Sequence, residues 1–353
     1  MQISVCMIVK NEEKILPRIL NCVKNFADEI IIVDTGSTDK TKEVAKKFTN
    51  NIFDFVWCDD FSKARNFSFS KATKDFVMWL DADDFIDEKN IQKIIELKND
   101  DADCFFFKYA TAFDEENNPT FVFYRERIVR NNFNYIWQGF IHEAIIPFGN
   151  IKYYDIVIEH RKVETKSPKR NLKIYQKHKK LGALFDARSQ YYYSKELYYN
   201  GYYKKCIKEL KKFLTMPNKY PPNVTDTYLT LARCFNKTKD YQKAISVIFK
   251  YIKSQPPTSE LLCELAKSFL LNNQTKQAIF FYNTACLCSF DVKNGGFIEK
   301  DYYYLIPYLQ LTYLYYKVGD FENAKKFHIL SKQQAPKNKA VIFNEKFFEN
   351  KKG

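Results

Sequence analysis

Four apolar residues, Val77-Met78-Trp79-Leu80, run straight into Asp81-Ala82-Asp83-Asp84, and this junction restricts the fold more than any other stretch of the chain. An apolar run without polar alternation reads as a strand buried on both faces. Three carboxylates crowded at its carboxyl end repel one another, so a fold normally keeps them there to hold a cation. Acidic oxygens of this kind suit Mg²⁺ or Mn²⁺, ions that bring a diphosphate with them. A second acidic turn follows an earlier apolar strand, in Ile30-Ile31-Ile32-Val33-Asp34-Thr35-Gly36-Ser37-Thr38-Asp39. Together the two junctions suggest a nucleotide-sugar site at the switch edge of an α/β sheet.

The surrounding pattern supports such a sheet. Over residues 1–160, short apolar runs at 3–9, 30–33, 52–57 and 76–80 alternate with helical periods at 13–25, 40–49, 62–72 and 91–97. That alternation implies crossover units and a mostly parallel sheet. Two further strands are expected at 104–109 and 121–128, around a polar turn at 114–119, and this half reads as a three-layer α/β domain.

A basic connector at 161–189 follows, and then the period changes. Over 190–353, helix-length segments pair up, and a small residue recurs as Cys206, Ala244, Ala278 and Ala324, at intervals of 38, 34 and 46. The middle interval is the period of tetratricopeptide helix pairs. The outer ones imply loop insertions, the last of them at 291–300. Each small residue follows a turn signal, such as Asn200-Gly201 or Gly319-Asp320. Pro217, Pro256 and Pro336 fall where a second helix should stop. Paired helices approach closely only where no bulky side chain intervenes, so an all-α repeat domain is expected here.

Composition narrows the function. No run of 18 apolar residues exists, and the first residues read as a strand, so a cytoplasmic protein without a membrane span is expected. The nine cysteines are scattered and lack any Cys-x-x-Cys pair. Those in apolar periodic segments (Cys6, Cys206, Cys234 and Cys263) read as reduced core residues, against a disulfide or zinc framework. The net charge of +14 admits nucleic acid, anionic lipid or an anionic substrate as a partner. No Arg-rich cluster with base-stacking aromatics accompanies it, so nucleic acid is not expected and lysines on solvated helix faces account for the excess.

A phosphate-cradling glycine loop is absent. A nucleotide must then be held by a metal on its diphosphate, by Arg or Lys on phosphate oxygens and by carboxylates on base and ribose. Asp81 and Asp83 face the same way if the strand stays extended, one toward the ribose and one toward the metal. The plainer alternative makes the three acids a cap for the helix near Asp87. Arg65, in Asp59-Asp60-Phe61-Ser62-Lys63-Ala64-Arg65-Asn66, is placed to reach a phosphate or to orient Asp81 by a bidentate pair. His142-Glu143 alone says little. His160, at the end of Ile156-Val157-Ile158-Glu159-His160, is a solvated strand end or a further metal ligand.

At residues 1–145 these pieces resemble family 2 glycosyltransferases of GT-A fold. The resemblance rests on Val5-Cys6-Met7-Ile8-Val9-Lys10-Asn11-Glu12-Glu13, Ile32-Val33-Asp34-Thr35-Gly36-Ser37-Thr38-Asp39, Phe61-Ser62-Lys63-Ala64-Arg65-Asn66 and Leu80-Asp81-Ala82-Asp83. With the tetratricopeptide tail, the whole chain is similar to the subgroup holding glycocin S-glycosyltransferases and lipopolysaccharide-core-type enzymes. The resemblance implies an inverting, metal-dependent transferase using a UDP-sugar. Asp81 and Asp83 would hold Mg²⁺ or Mn²⁺, with His160 as a further ligand, and Asn11, Glu13, Asp34, Arg65 and Asp81 would contact the donor nucleotide. Glu143 is the expected base, with His142 orienting or replacing it. Trp137 stacks on a sugar ring or simply packs, and His160 and Arg170-Asn171 match looser downstream motifs. The tail suits a peptide or protein acceptor and offers a homodimer contact. The alternatives are the same chemistry on a saccharide or lipid-linked glycan, or a scaffold carrying an inactive transferase domain.

Overall fold

The computed structural model describes residues 1–114, 116–161, 169–290 and 299–350. Most of the expected insertion at 291–300, and part of the basic connector, lie outside these residues. The chain divides into two compact units, Met1–Phe185 and Asp186–Gly353. None of the described helices is long and apolar enough to cross a membrane.

The first unit is built on a sheet of β1 (Ile3–Val9), β2 (Glu29–Asp34), β3 (Ile52–Asp54), β4 (Phe76–Trp79), β5 (Asp84–Phe85), β6 (Cys104–Phe113) and β7 (Pro119–Arg130). After a separate ribbon of β8 (Trp137–Gln138) and β9 (Ala144–Ile145), β10 (Ile151–His160) completes it. The order is β3-β2-β1-β4-β7-β6-β10-β5. The expected parallel pairing holds for β3-β2-β1-β4. Beyond β4 the sheet is mixed, because β7 runs antiparallel to both β4 and β6. The cause is local: Asp114 Oδ1 accepts from Asn118 N at 2.8 Å, with Asn117 at φ 65°, and so short a turn joins only antiparallel strands.

Alternation along each strand makes the three layers. Ile3, Val5, Met7 and Val9 of β1, with Phe76 and Met78 of β4, enter one core beneath α1 (Leu16–Val23) and α4 (Glu88–Glu96). Cys6, Val77 and Trp79 enter the other, beneath α3 (Phe61–Phe69). Between α1 and α3, α2 is a short helix (Thr41–Ala45). Asp87, rather than any of the three preceding acids, caps α4 by accepting from Asn90 N at 2.7 Å. In the segment expected as connector, α5 (Arg170–Lys180) belongs to the first unit: Tyr175 and His178 pack on Phe140 at ring distances of 5.0 and 4.0 Å.

The second unit pairs its helices as the spacing predicts. Successive hairpins are α6 (Ala187–Tyr199) with α7 (Tyr203–Thr215), α8 (Pro221–Lys237) with α9 (Tyr241–Ile252), α10 (Ser259–Leu271) with α11 (Thr275–Ala285) and α12 (Leu305–Lys317) with α13 (Phe321–Gln334). The last helix is α14 (Lys339–Asn350), packed on α13. Cys206, Ala244, Ala278 and Ala324 are fully buried on the second helix of each pair. Each lies five residues after a left-handed residue, namely Gly201, Lys239, Asn273 and Gly319. The next amide closes the turn onto the fifth preceding carbonyl at 2.9 Å in every pair. The repeat is therefore set by the turn as much as by the helix faces.

A buried ion pair ties the first two hairpins. Lys195 Nζ donates to Asp226 Oδ2 at 2.7 Å and to Thr230 Oγ1 at 3.0 Å, and Tyr191 OH donates to the same Asp226 oxygen. Burial pushes the Asp226 carboxyl up, but the Lys195 ammonium and the Tyr191 hydroxyl outweigh it and hold the carboxyl below its usual range. A depressed pKa contributes stability above the unfolded value of about 3.9, and that contribution is lost as pH falls through the folded value. The Asp226→Asn protein is thus expected to lose about 3–5 kcal/mol at neutral pH. Its thermal midpoint should also respond less to acidification below about pH 4 than that of the unsubstituted protein. Calorimetry at pH 7 and pH 3 checks both; an unchanged acid limb would remove this pair from the account.

Candidate active site

β4 ends at Trp79 and the chain turns at once, Asp84 N donating to the Asp81 carbonyl at 3.1 Å. The extended geometry that would point Asp81 and Asp83 the same way is not formed: Asp81 meets Arg65, while Asp83 and Asp84 meet His160. Asp84 is wholly buried and accepts from Tyr109 OH (2.9 Å), Arg127 Nη1 (3.2 Å) and the Asp81 amide (3.0 Å). Its Oδ1 also lies 3.1 Å from His160 Nδ1. Asp83 Oδ1 lies 3.2 Å from the same nitrogen, so β5 and β10, which pair Asp84 with His160, close an acid–histidine corner. Burial pushes the Asp83 carboxyl up, and the neighbouring Asp81 and Asp84 add to this against the pull of His160. Burial lowers the His160 imidazole, yet Asp84 and Asp83 win and raise it above its ordinary value.

Arg65 builds the adjoining corner. Its Nη2 donates to Asp81 Oδ1 at 2.8 Å and its Nε to Glu143 Oε1 at 2.6 Å, while the guanidinium lies 4.8 Å from the rings of both Trp79 and Trp137. Burial alone would raise the Asp81 carboxyl; the Arg65 charge reverses this and holds it at about 2. α3 presents Arg65 because Asp60 caps the helix by accepting from Lys63 N at 3.0 Å. The same helix clamps the loop that carries Glu143. Asn66 Nδ2 donates to the Trp137 carbonyl (3.0 Å), Trp137 N donates to Asn66 Oδ1 (2.9 Å), and Phe61 N donates to the Phe140 carbonyl (2.9 Å). Gly139 (φ 91°) and His142 (φ 51°) adopt left-handed backbone, which bends this loop back so that Glu143 meets Arg65. Trp137 is 2% exposed and packs edge-on against Trp79 at 5.2 Å. Of the two expectations for Trp137 the structure shows packing, since a ring buried in the core has no face for a ligand.

The third element follows β2. Asp34 Oδ1 accepts from Gly36 N and Ser37 N, both at 2.9 Å. Its Oδ2 is buried without a hydrogen-bond partner among the described residues. Asn11 and Glu13 brace this turn: Asn11 Oδ1 accepts from Thr38 N at 2.7 Å, and Glu13 Oε2 accepts from Lys40 N at 2.9 Å. Asp34 and Asp81 thus stand at the carboxyl ends of β2 and β4, on either side of β1, the switch position of this sheet.

One ligand atom from each of Asp81, Asp83, Asp84 and His160 falls within 4.8 Å of the others. Asp84 is spent on Arg127 and Tyr109, which leaves Asp81, Asp83 and the His160 imidazole as donors. Carboxylates crowded against one another, with one imidazole, fit a divalent cation such as Mn²⁺ or Mg²⁺.

Sequence reasoning did not single out Asn66, Tyr109 and Arg127. Tyr109 gave no signal, and Asn66 stood only as the last residue of the Phe61–Asn66 motif. Arg127 did give one: Arg125-Glu126-Arg127 interrupts an otherwise apolar strand, a place for charge only if a buried partner waits there.

A mixed sheet with a parallel half and acids at its switch position, followed by paired helices, defines a GT-A-type α/β domain joined to helical repeats. Residues 4–144 match the family model described as glycosyl transferase family 2, so the amino-terminal domain is a domain of that family. The SPbeta prophage-derived glycosyltransferase SunS of Bacillus subtilis is 29% identical over 175 residues, 48% of this chain and 38% of SunS. An uncharacterized glycosyltransferase of Rickettsia typhi is 35% identical over 88 residues, 25% of this chain and 30% of that protein. A TPR repeat-containing protein of Synechococcus elongatus is 46% identical over 83 residues, 24% of this chain and 21% of that protein. The matches thus span between 21% and 38% of the length of these relatives.

Proposed function

We propose that this protein is an inverting glycosyltransferase that moves a sugar from a nucleotide-diphosphate sugar, UDP-linked, to a peptide or protein acceptor. The observation that carries the reading is Arg65, one side chain bonded at once to Asp81 on the donor side and Glu143 on the acceptor side. It sets a carboxylate for the diphosphate and a carboxylate for the incoming nucleophile in a fixed mutual position. Asp34 Oδ2 supports the nucleotide half: a buried acceptor left unpaired costs about 1–3 kcal/mol, which an N–H of a base would recover.

In the proposed reaction an acceptor hydroxyl or thiol attacks the anomeric carbon from the face opposite the diphosphate. The carbon–oxygen bond to the diphosphate breaks, its electron pair leaves with the nucleotide, and configuration inverts. Glu143 takes the acceptor proton on Oε2, since Oε1 is committed to Arg65, and His142 on the same loop orients the acceptor or shares the base role. Asp81, Asp83 and His160 would hold a divalent cation, which when bound supplies neutralisation of the charge on the departing diphosphate. The paired helices of the second unit resemble arrays that hold extended peptides, which supports a peptide acceptor.

The test is nucleotide release from UDP-sugars by the full chain with Mn²⁺ present, using peptide and saccharide acceptors in parallel. Asp83→Ala is expected to lower release by at least about 100-fold. Unchanged turnover would remove the metal role, and transfer confined to saccharides would overturn the peptide acceptor.

A further inference from the structure

α5 and the turn after it form a surface for which the proposed chemistry has no use. From Lys169 to Phe185 the chain carries six Lys or Arg and no Asp or Glu. Leu172, Ile174 and Tyr175 face inward and seat the helix. The spacing i, i+3, i+4, i+7 places Lys173, Gln176, Lys177 and Lys180 in one outward stripe, which meets Leu181 around a shallow depression. Lys177 pairs with Asp59 while 59% of its side chain stays exposed.

The turn that follows is tied down, not loose. Leu181 N donates to the Lys177 carbonyl and Ala183 N to the His178 carbonyl, both at 3.0 Å, with Gly182 at φ 84°. Phe185 then packs back on Phe140 and Tyr175 at ring distances of 5.8 and 5.6 Å. Between these anchors Leu181 is 75% exposed and Leu184 98% exposed. A well-anchored turn that holds two leucines in water beside a row of lysines is matched by a medium apolar within and negative at its surface.

The geometry points to this surface as a contact with an anionic lipid bilayer. Leu181 and Leu184 enter the boundary between headgroups and acyl chains, while Lys173 and Lys180 rest on headgroup phosphates with their methylene stems against the apolar layer. A polysaccharide or nucleic acid polyanion would engage the lysines and leave both leucines in water. The contact is independent of the glycosyl-transfer reading, because vesicle binding is read without any turnover.

The experiment is flotation of the full chain with vesicles of phosphatidylcholine alone, or of phosphatidylcholine and phosphatidylglycerol in equal parts, at about 0.1 M salt. Recovery with the anionic vesicles is expected to exceed that with neutral ones by at least about fivefold. L181S/L184S and K173E/K180E should each reduce it by at least about fivefold, with circular dichroism and thermal midpoint unchanged because these side chains are exposed. Absence of binding, equal binding to both vesicles, or anionic binding indifferent to the leucine pair would each overturn the proposal, the last in favour of a general polycation effect.

Discussion

Replacing Arg65 with Met is expected to abolish measurable sugar transfer and to destabilise the first unit by about 3–5 kcal/mol, the cost of leaving buried charge without its partner. Arg65 is only 7% exposed, and its removal strands two carboxylates, Asp81 and Glu143, in a corner walled by Trp79 and Trp137. Without the guanidinium, burial alone acts on Asp81, and its carboxyl rises from about 2 toward or beyond the ordinary range. Arg65→Lys discriminates position from charge. An ammonium is a point donor and cannot serve two carboxylates in the plane of one fork, so folding should largely survive while release of nucleotide falls by at least about 100-fold. Differential scanning calorimetry and nucleotide release measure the two effects separately. An Arg65→Met protein that kept transfer within about twofold would show that Asp81 and Glu143 need no common anchor.

The second large effect is expected at Arg127, a residue that touches no part of the proposed reaction. Arg127 and Asp84 are both fully buried, and the guanidinium lies 3.8 Å from the Trp79 ring and 4.0 Å from the Tyr109 ring. Its Nη1 donates to Asp84 Oδ2 and to the Trp79 carbonyl. Removing it in Arg127→Met leaves the buried Asp84 carboxylate facing Asp81 and Asp83 with only the His160 imidazole to offset it, a loss of about 3–5 kcal/mol. Because Asp84 also holds the Nδ1 edge of His160, Mn²⁺ affinity measured by titration calorimetry should fall by about 10–100-fold. Adding Asp84→Asn to Arg127→Met removes the stranded charge, so the double variant should be more stable than Arg127→Met alone. If it is less stable by the sum of the two single changes, the pair is not coupled and Asp84 has another role.

Much of this architecture is legible in the amino-acid sequence. The apolar runs ending at Asp34 and Asp81 lie where the pattern put them, because a strand buried on both faces has no polar positions and ends where charge begins. The helix pairs were readable because their turns and small residues recur together, Gly201 with Cys206 and Gly319 with Ala324, each a local requirement of a close-packed hairpin. The mixed edge beyond β4 was less readable. Strand direction there depends on how tightly β6 turns into β7, not on the strands themselves.

The amino-acid sequence by itself determined the two architectures and the acidic strand ends at Asp34 and Asp81, since spacing and strand ends are local properties of a chain. Only the tertiary structure decided that Asp84 is buried against Arg127 and Tyr109, that Trp137 lies inside the core and that Asn66 clamps the loop of Glu143. Each of these depends on partners distant in the chain, as in Asp84–Arg127, 43 residues apart, and Asn66–Trp137, 71 apart. Three neighbouring carboxylates look alike on paper, and the folded chain distinguishes them by which one it surrounds with Tyr109 and Arg127.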